Sequence, residues 1–406
     1  MSVLQNKIFK LKGKVQNYAW GGYQYIPNLL HLENKDNKPC AEYWMGAHPS
    51  APSMIQIDNQ EVSLFEAIQQ NPNSILTESV YNKFGELPYL YKILDVNEML
   101  SIQVHPSKEE AVKGFEREDA AGIPINAPHR NYKDKNHKPE VMIALGEFWL
   151  LHGFMSLEAI ENCLQEVKEF NVLLPIFKTE GLKELYRFLM EMSQEEVDTI
   201  LARLVKREMR RKQNGELNKS MPGWWAAKLF KEDDEVKNVD RGVFSIYLFN
   251  IVGLNKGEGI FQAAGVPHAY LEGQNVELMA NSDNVLRGGL TPKHIDVPEL
   301  MKHTLFEPIT PKVMRGDSIG ALEKNYSCPV PDFDISKIEL SAGKTYTALA
   351  ASPEIFIAIE GGAVVNGTNT NITIKKGDCF MILPNEEYKI SASGNCELYK
   401  AFVGMQ

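Results

Sequence analysis

The stretch Leu100-Ser101-Ile102-Gln103-Val104-His105-Pro106 sets the reading of this chain. Side chains on a strand alternate between its faces, so Leu100, Ile102 and Val104 enter a core while Ser101, Gln103 and His105 share the opposite side. Pro106 has no backbone N–H to continue a ladder, which ends the strand near a rim. A carboxamide oxygen and an imidazole nitrogen two positions apart on one face are able to touch a single metal ion. In isolation such a pair more often decorates a solvent face, and its meaning depends on the rest of the chain.

Just upstream, Tyr89 to Val96 reads as a strand carrying Lys92. Residues 8–94 are mostly short apolar runs broken by turn residues such as Gly21-Gly22 and His48-Pro49-Ser50, which predicts strands and long loops with one short helix at 63–69. Ala41-Glu42-Tyr43-Trp44 sets aromatics beside a carboxylate, a pattern commoner in core packing than in sites. Downstream, 108–131 reads as a charged loop. It leads to Tyr132-Lys133-Asp134-Lys135-Asn136-His137-Lys138-Pro139-Glu140. Pro139 forces an extended conformation on Lys138, so Lys138 and Glu140 share a face, and their plainer reading is a surface ion pair.

Residues 156–211 change period. Val197, Ile200, Leu201 and Leu204 recur at helical spacing behind a Ser193/Glu196 capping box, which predicts a helical insertion. Its basic end, 206–212, reads as cations complementing the negative pole of a helix, with a patch for an anionic partner as the alternative. Strand sequence returns at 243–252, alternating around Phe244, Ile246, Leu248 and Asn250. The glycines of Gly257-Glu258-Gly259 and Gly265-Val266-Pro267-His268 then allow tight turns that deliver His268 into a barrel mouth. This segment resembles the second motif of the cupin fold, with Ala263 where proline is frequent. From Tyr326 onward, evenly spaced short strands with turn signals predict a small β-sandwich; it contains no histidine, and no metal is expected there. The expected fold is therefore mainly β: a cupin (jelly-roll) barrel from 1–152 and 239–320, an α-helical insertion at 153–238, and a cupin-like β-sandwich at 321–406.

At 406 residues, 44% hydrophobic and 24% charged, the composition is that of an ordinary globular protein. A net charge of -10 argues against nucleic acid or an anionic membrane as partner, and leaves room for a small anion in a locally cationic pocket. No apolar run approaches the length of a membrane span, the first 14 residues lack an apolar leader core, and the five scattered cysteines form no C-x-x-C; a cytoplasmic protein is expected.

Four donors are thus available: Gln103, His105, Glu140 and His268. Imidazole and oxygen ligands suit Zn²⁺, and Fe²⁺ or Mn²⁺ would accept the same set. The segment 132–140, with His268-Ala269-Tyr270-Leu271-Glu272-Gly273, Glu277, Met279-Ala280, Ser282-Asp283-Asn284, Arg287 and Thr291-Pro292-Lys293, resembles the signatures of class I mannose-6-phosphate isomerases. Gly288 stands where alanine is usual. The resemblance implies interconversion of mannose 6-phosphate and fructose 6-phosphate, a small phosphorylated sugar as partner, a monomer or weak homo-oligomer, and one Zn²⁺ per chain on Gln103, His105, Glu140 and His268. It also implies Arg287 and Lys138 as catalytic groups, Lys92 and Ser101 near the phosphate, and Glu277 and Asp283 lining the pocket.

The residue types agree with that chemistry. Moving a carbonyl between neighbouring carbons passes through an enediolate, which a dication and a guanidinium stabilise. The proton-moving group stays open among a metal-bound water, Glu277, Asp283, His137 and Lys138, and Arg287 is equally placed for an ion pair with Asp283. Two other readings are a non-catalytic sugar-phosphate-binding bicupin and a metal-dependent cupin oxygenase.

Overall fold

The strand His268–Ala280 is the backbone of the fold, and its neighbours explain why. In this computed structural model, which describes residues 6–57, 60–231 and 234–404, its first half pairs with Phe148–Phe154 and its second with Tyr89–Val96 and Glu140–Ala144. The switch occurs at a bulge between Tyr270 and Glu272, followed by Gly273 at φ 124°. A Cβ at Gly273 would lie 2.6 Å from the Glu147 carbonyl oxygen, so only glycine lets the strand bend here. The bulge also shifts parity: His268 and Tyr270 before it, and Glu277 and Met279 after it, all line the same side.

This strand belongs to a ten-stranded sheet that packs against a nine-stranded one through a shared core of residues such as Tyr91, Ile93, Leu278, Ile335, Ile357 and Tyr399. A four-stranded sheet covers the far side of the nine-stranded sheet, around Phe356, Phe380 and Tyr388. The nine-stranded sheet is discontinuous in sequence, because Ile8–Lys12 pairs with Cys379–Ile382, in register from Ile8 opposite Ile382 to Leu11 opposite Cys379. The predicted mainly β architecture with a helical insertion stands.

Within the insertion, Leu157–Glu166, Leu174–Glu191 and Gln194–Gln213 are helices. Ser193 and Glu196 form the expected capping box, and Val197, Leu201 and Leu204 are fully buried. The basic end is paired within the insertion: Arg207 and Arg211 both bond the buried Glu208, each at 2.9 Å. No helix among the described residues is long and apolar enough to cross a membrane.

Three predicted elements differ. The strand expected to reach from Leu100 to the rim at Pro106 is only Gln103–Val104, flanked by irregular backbone. Residues 108–131 begin not as a loop but as the helix Lys108–Ala120, capped by Ser107 and buried only along Ala111, Gly114 and Glu118. So narrow a stripe leaves little apolar periodicity to read. Within 243–252, Gly242–Leu248 is a helix and the strand starts at Phe249. All seven helical residues are buried, so the period of two seen in the sequence reflects burial on all sides and not a pleated face. The first third also holds more helix than expected: besides Leu64–Gln70, Tyr25–Leu30, Pro72–Ile75 and Glu78–Phe84 are helical.

Candidate metal centre and substrate cavity

Short strands bring the predicted donors together. Gln103 lies opposite His268 on one side and Arg287 on the other, so these three form a row across adjacent strands. His105 follows at the rim, fully buried, with its carbonyl oxygen accepting from Gly265 N–H. Glu140 opens the strand Glu140–Ala144, opposite Met279.

His105 Nδ1 is 2.9 Å from the carbonyl oxygen of Asn284, and His268 Nδ1 is 2.9 Å from that of Val266. A carbonyl only accepts, so each Nδ1 carries the proton and each Nε2 presents a lone pair. Those lone pairs face Glu140: His105 Nε2 is 3.5 Å from Oε1, and His268 Nε2 is 3.3 Å from Oε2. Burial pulls His105 down to about 4, with Lys138 acting in the same direction, so its ring is neutral. Burial alone would raise the Glu140 carboxyl, but Lys138 at 3.1 Å and His105 hold it well below the usual range. A carboxylate and two imidazole lone pairs aimed at one point repel unless a cation lies between them. Donors about 2.0–2.2 Å from a tetrahedral ion are separated by about 3.3–3.5 Å, close to the two imidazole–carboxylate distances of 3.5 and 3.3 Å, and all three donors lie within 4.8 Å of one another. His105, Glu140 and His268 thus fit a divalent metal, with Gln103 as a fourth, oxygen-bearing neighbour.

The loops around this centre are fixed by residues whose roles the sequence did not disclose. Asn284 donates its amide to the carbonyl oxygens of Asp134 (2.9 Å) and Asn136 (2.8 Å), while its own oxygen accepts from Lys133 N–H at 2.6 Å. Asp134 accepts from Ser282 Oγ and from Asp283 N–H. Glu118 on the helix Lys108–Ala120 accepts the backbone N–H groups of Asn131 and Tyr132. The segment 132–140 is thereby fastened to the loop that orients His105.

A cavity of about 790 Å³ opens beside the centre, with Ser101, Gln103, Lys138, Asp283, Arg287 and Lys293 in its wall. An enclosed space of about 50 Å³ continues inward among Lys92, Glu140, Tyr270 and Glu277. Lys92 is buried: it bonds Glu277 at 2.9 Å and approaches Glu42 to 3.8 Å, over the ring of Trp44. Glu42 in turn accepts from Trp44 Nε1. The aromatic-plus-carboxylate motif at 41–44, read as core packing, is part of the cavity wall, and its only sequence signal was a carboxylate in an apolar run. Burial disfavours the Lys92 ammonium, yet Glu277 and Glu42 outweigh it and raise its pKa. Glu277 is raised by burial, and by Glu140 and Glu42, against the pull of Lys92.

Arg287 has no ion-pair partner among the described residues; Asp283 pairs instead with His48 at 3.3 Å. Burial lowers Arg287, and burial with the Arg287 charge lowers Lys293, so two cations without carboxylate partners among the described residues stand at the cavity mouth. His137, one candidate proton carrier, turns away to Asp332 at 3.0 Å.

A β-sheet interior holding two imidazoles and a carboxylate around one point, beside a cavity edged by cations, defines a metal-centred cupin-type site. Residues 8–157 match the family model for the phosphomannose isomerase type I catalytic domain, and 323–403 that for the mannose-6-phosphate isomerase cupin domain. The chain is 40% identical over 399 residues to the mannose-6-phosphate isomerase of Salmonella typhimurium, covering 97% of this chain and 99% of that one. It is 35% identical to the Rattus norvegicus protein of that name over 434 residues, with 97% and 98% covered. A crystal structure of the Salmonella typhimurium enzyme bound to fructose 6-phosphate and zinc superposes with a TM-score of 0.87 at 37% identity, covering 98% of this chain and 100% of that one. The chain belongs to the type I mannose-6-phosphate isomerase family.

Proposed function

We propose that this protein interconverts mannose 6-phosphate and fructose 6-phosphate, using one Zn²⁺ held by His105, Glu140, His268 and Gln103. The observation that carries this reading is the set of three mutually facing lone-pair donors beside an unpaired guanidinium. When bound, the dication supplies an electrophile that stabilises negative charge on substrate oxygen. The structures of relatives, one titled holo and zinc bound, support the choice of metal.

The residues then divide the work. Glu277, buried and raised above the ordinary carboxyl value, takes the proton from C2; the C–H electron pair becomes the C1=C2 bond and O1 takes the negative charge. A proton passes from the C2 hydroxyl to O1, with Lys138 as the relay. Return of the first proton to C1 leaves the ketone at C2. Arg287, always protonated, stabilises the enediolate without competing as a base. The phosphate dianion falls to Lys293 and Ser101 at the mouth, because Lys92 is already neutralised by two carboxylates and instead supplies the counter-charge of Glu277. Asp283, held by His48, borders the substrate.

A cytoplasmic setting and a monomer or weak homo-oligomer complete the proposal; the buried thiols Cys40, Cys379 and Cys396, none in a disulfide, fit a reducing compartment. The test is a coupled assay with mannose 6-phosphate before and after chelation. Turnover should vanish with the metal and return with Zn²⁺. Undiminished turnover in metal-free protein overturns the metal role, and absence of turnover in zinc-loaded protein leaves the sugar-phosphate-binding reading.

A further inference from the structure

The cation edge of the cavity is not self-supporting. Between Arg287 and Lys293 the chain passes through Gly289 at φ 127° and Leu290 at φ 53°, and a left-handed leucine costs on the order of 1 kcal/mol unless something holds it. What holds it comes from the junction just after the helical insertion. Asp240 Oδ1 accepts the N–H of Leu290 at 2.7 Å, its Oδ2 accepts the N–H of Thr291 at 2.9 Å, and Oδ1 also accepts Gly242 N–H at 2.7 Å. The close approach requires two glycines: a Cβ on Gly242 would meet Leu290 N at 2.6 Å, and one on Gly289 would meet Gly242 Cα at 2.5 Å.

Asp240 is braced from behind. Asp198, on the helix Gln194–Gln213, accepts the N–H groups of Asn238 and Val239 at 2.9 and 2.8 Å, and Gln194 donates to the Val239 carbonyl at 3.0 Å. Arg241 donates to the carbonyl oxygen of Met190. On the other side, Ile102 N–H donates to Gly289 O at 3.0 Å and Gly288 N–H to Ile102 O at 2.9 Å, tying the clamped segment to the stretch that carries Ser101 and Gln103. An unbroken series of hydrogen bonds therefore runs from the insertion to the segment between the two mouth cations.

We infer that Asp240 is a positioning residue for substrate binding: the junction after the helical insertion, braced by Asp198 and Gln194, sets through this one carboxylate where Lys293 and Arg287 meet the anionic sugar phosphate. The inference rests on the isomerase reading above. Its test compares Asp240→Ala and Asp240→Asn with wild type in KM, kcat, zinc content and thermal midpoint. Loss of the clamp is expected to raise KM for mannose 6-phosphate about tenfold or more in Asp240→Ala, with zinc content unchanged and kcat reduced less. Asp240→Asn, which keeps one acceptor oxygen, should fall between the two, and it is the decisive variant if the alanine form does not fold. Calorimetric titration with fructose 6-phosphate should show the same order of weakening without relying on turnover. Equal KM and equal fructose 6-phosphate affinity in a folded Asp240 variant overturn the inference while leaving the isomerase reading intact; a wild type that does not turn over mannose 6-phosphate defeats that reading instead, and the titration still judges the clamp.

Discussion

Two β-sheet interiors of this molecule each bury a knot of charge, and they solve the electrostatic problem in opposite ways. In the C-terminal half, Lys400 lies 2.8 Å from Glu323 and 4.0 Å from Glu354, donates to Tyr346 at 3.2 Å, and the two carboxylates accept hydrogen bonds from the hydroxyls of Tyr346 and Tyr388. The chain brings its own cation. In the catalytic half, two imidazole lone pairs and a carboxylate confront one another; Lys138 at 3.1 Å offsets the Glu140 charge, but the lone pairs still converge on a point that a dication from solution would fill. The first arrangement is closed and structural, the second incomplete by construction and therefore reactive. A buried ionic group is either balanced within the chain or awaiting a ligand.

The contrast breaks most visibly at His268. His268→Ala should abolish zinc retention and reduce turnover by about 10³-fold or more, read by elemental analysis and the coupled assay. Lys400→Met should leave activity per folded molecule within about twofold, since no reacting group is touched. Arg287→Ala sharpens the comparison, because it removes a charge that binds no metal. Turnover is expected to fall about 10²- to 10³-fold with zinc content near wild type, and full activity would refute the enediolate role.

The C-terminal knot is probed by stability. Lys400→Met strands Glu323 and Glu354 without a counter-charge and should cost about 3–5 kcal/mol in denaturant unfolding, whereas replacing both carboxylates by glutamine in the same variant should restore most of it. The smallest effect is a pH dependence. Burial lowers Lys400, but Glu354, Tyr346 and Glu323 outweigh it and push it up to about 12. A group raised in the folded state contributes fully below its unfolded pKa of about 10.4 and loses that contribution as pH climbs through about 12. Thermal midpoints measured from pH 9 to 12 should fall more steeply for wild type than for Lys400→Met.

The catalytic knot was largely legible before any coordinates. Gln103 and His105 sit two apart in an extended stretch, Glu140 follows Pro139, and His268 follows a glycine turn, so local rules gave each side chain its setting and a family resemblance joined them. The closed knot was not, because Lys400, Glu323 and Glu354 sit on strands whose pairing no local pattern specifies. Helices failed where their signal was weak in either direction: Lys108–Ala120 buries too narrow a stripe, and Gly242–Leu248 is buried all round. Asp240 and Asn284 were invisible as supports because each bonds backbone N–H and C=O groups far along the chain, and such contacts carry no side-chain code at the receiving end.

The pairing of Ile8–Lys12 with Cys379–Ile382 has a bearing on biosynthesis. At about 5–20 residues per second, a ribosome needs roughly 20–70 s to make the stretch that separates the two strands. Throughout that interval Ile8–Lys12 has only Met54–Ile57 to pair with, and its other edge stays open. Nascent chains should therefore recruit holdase chaperones until Cys379–Ile382 has been made, and removing Cys379–Ile382 should leave Ile8–Lys12 paired with Met54–Ile57 alone.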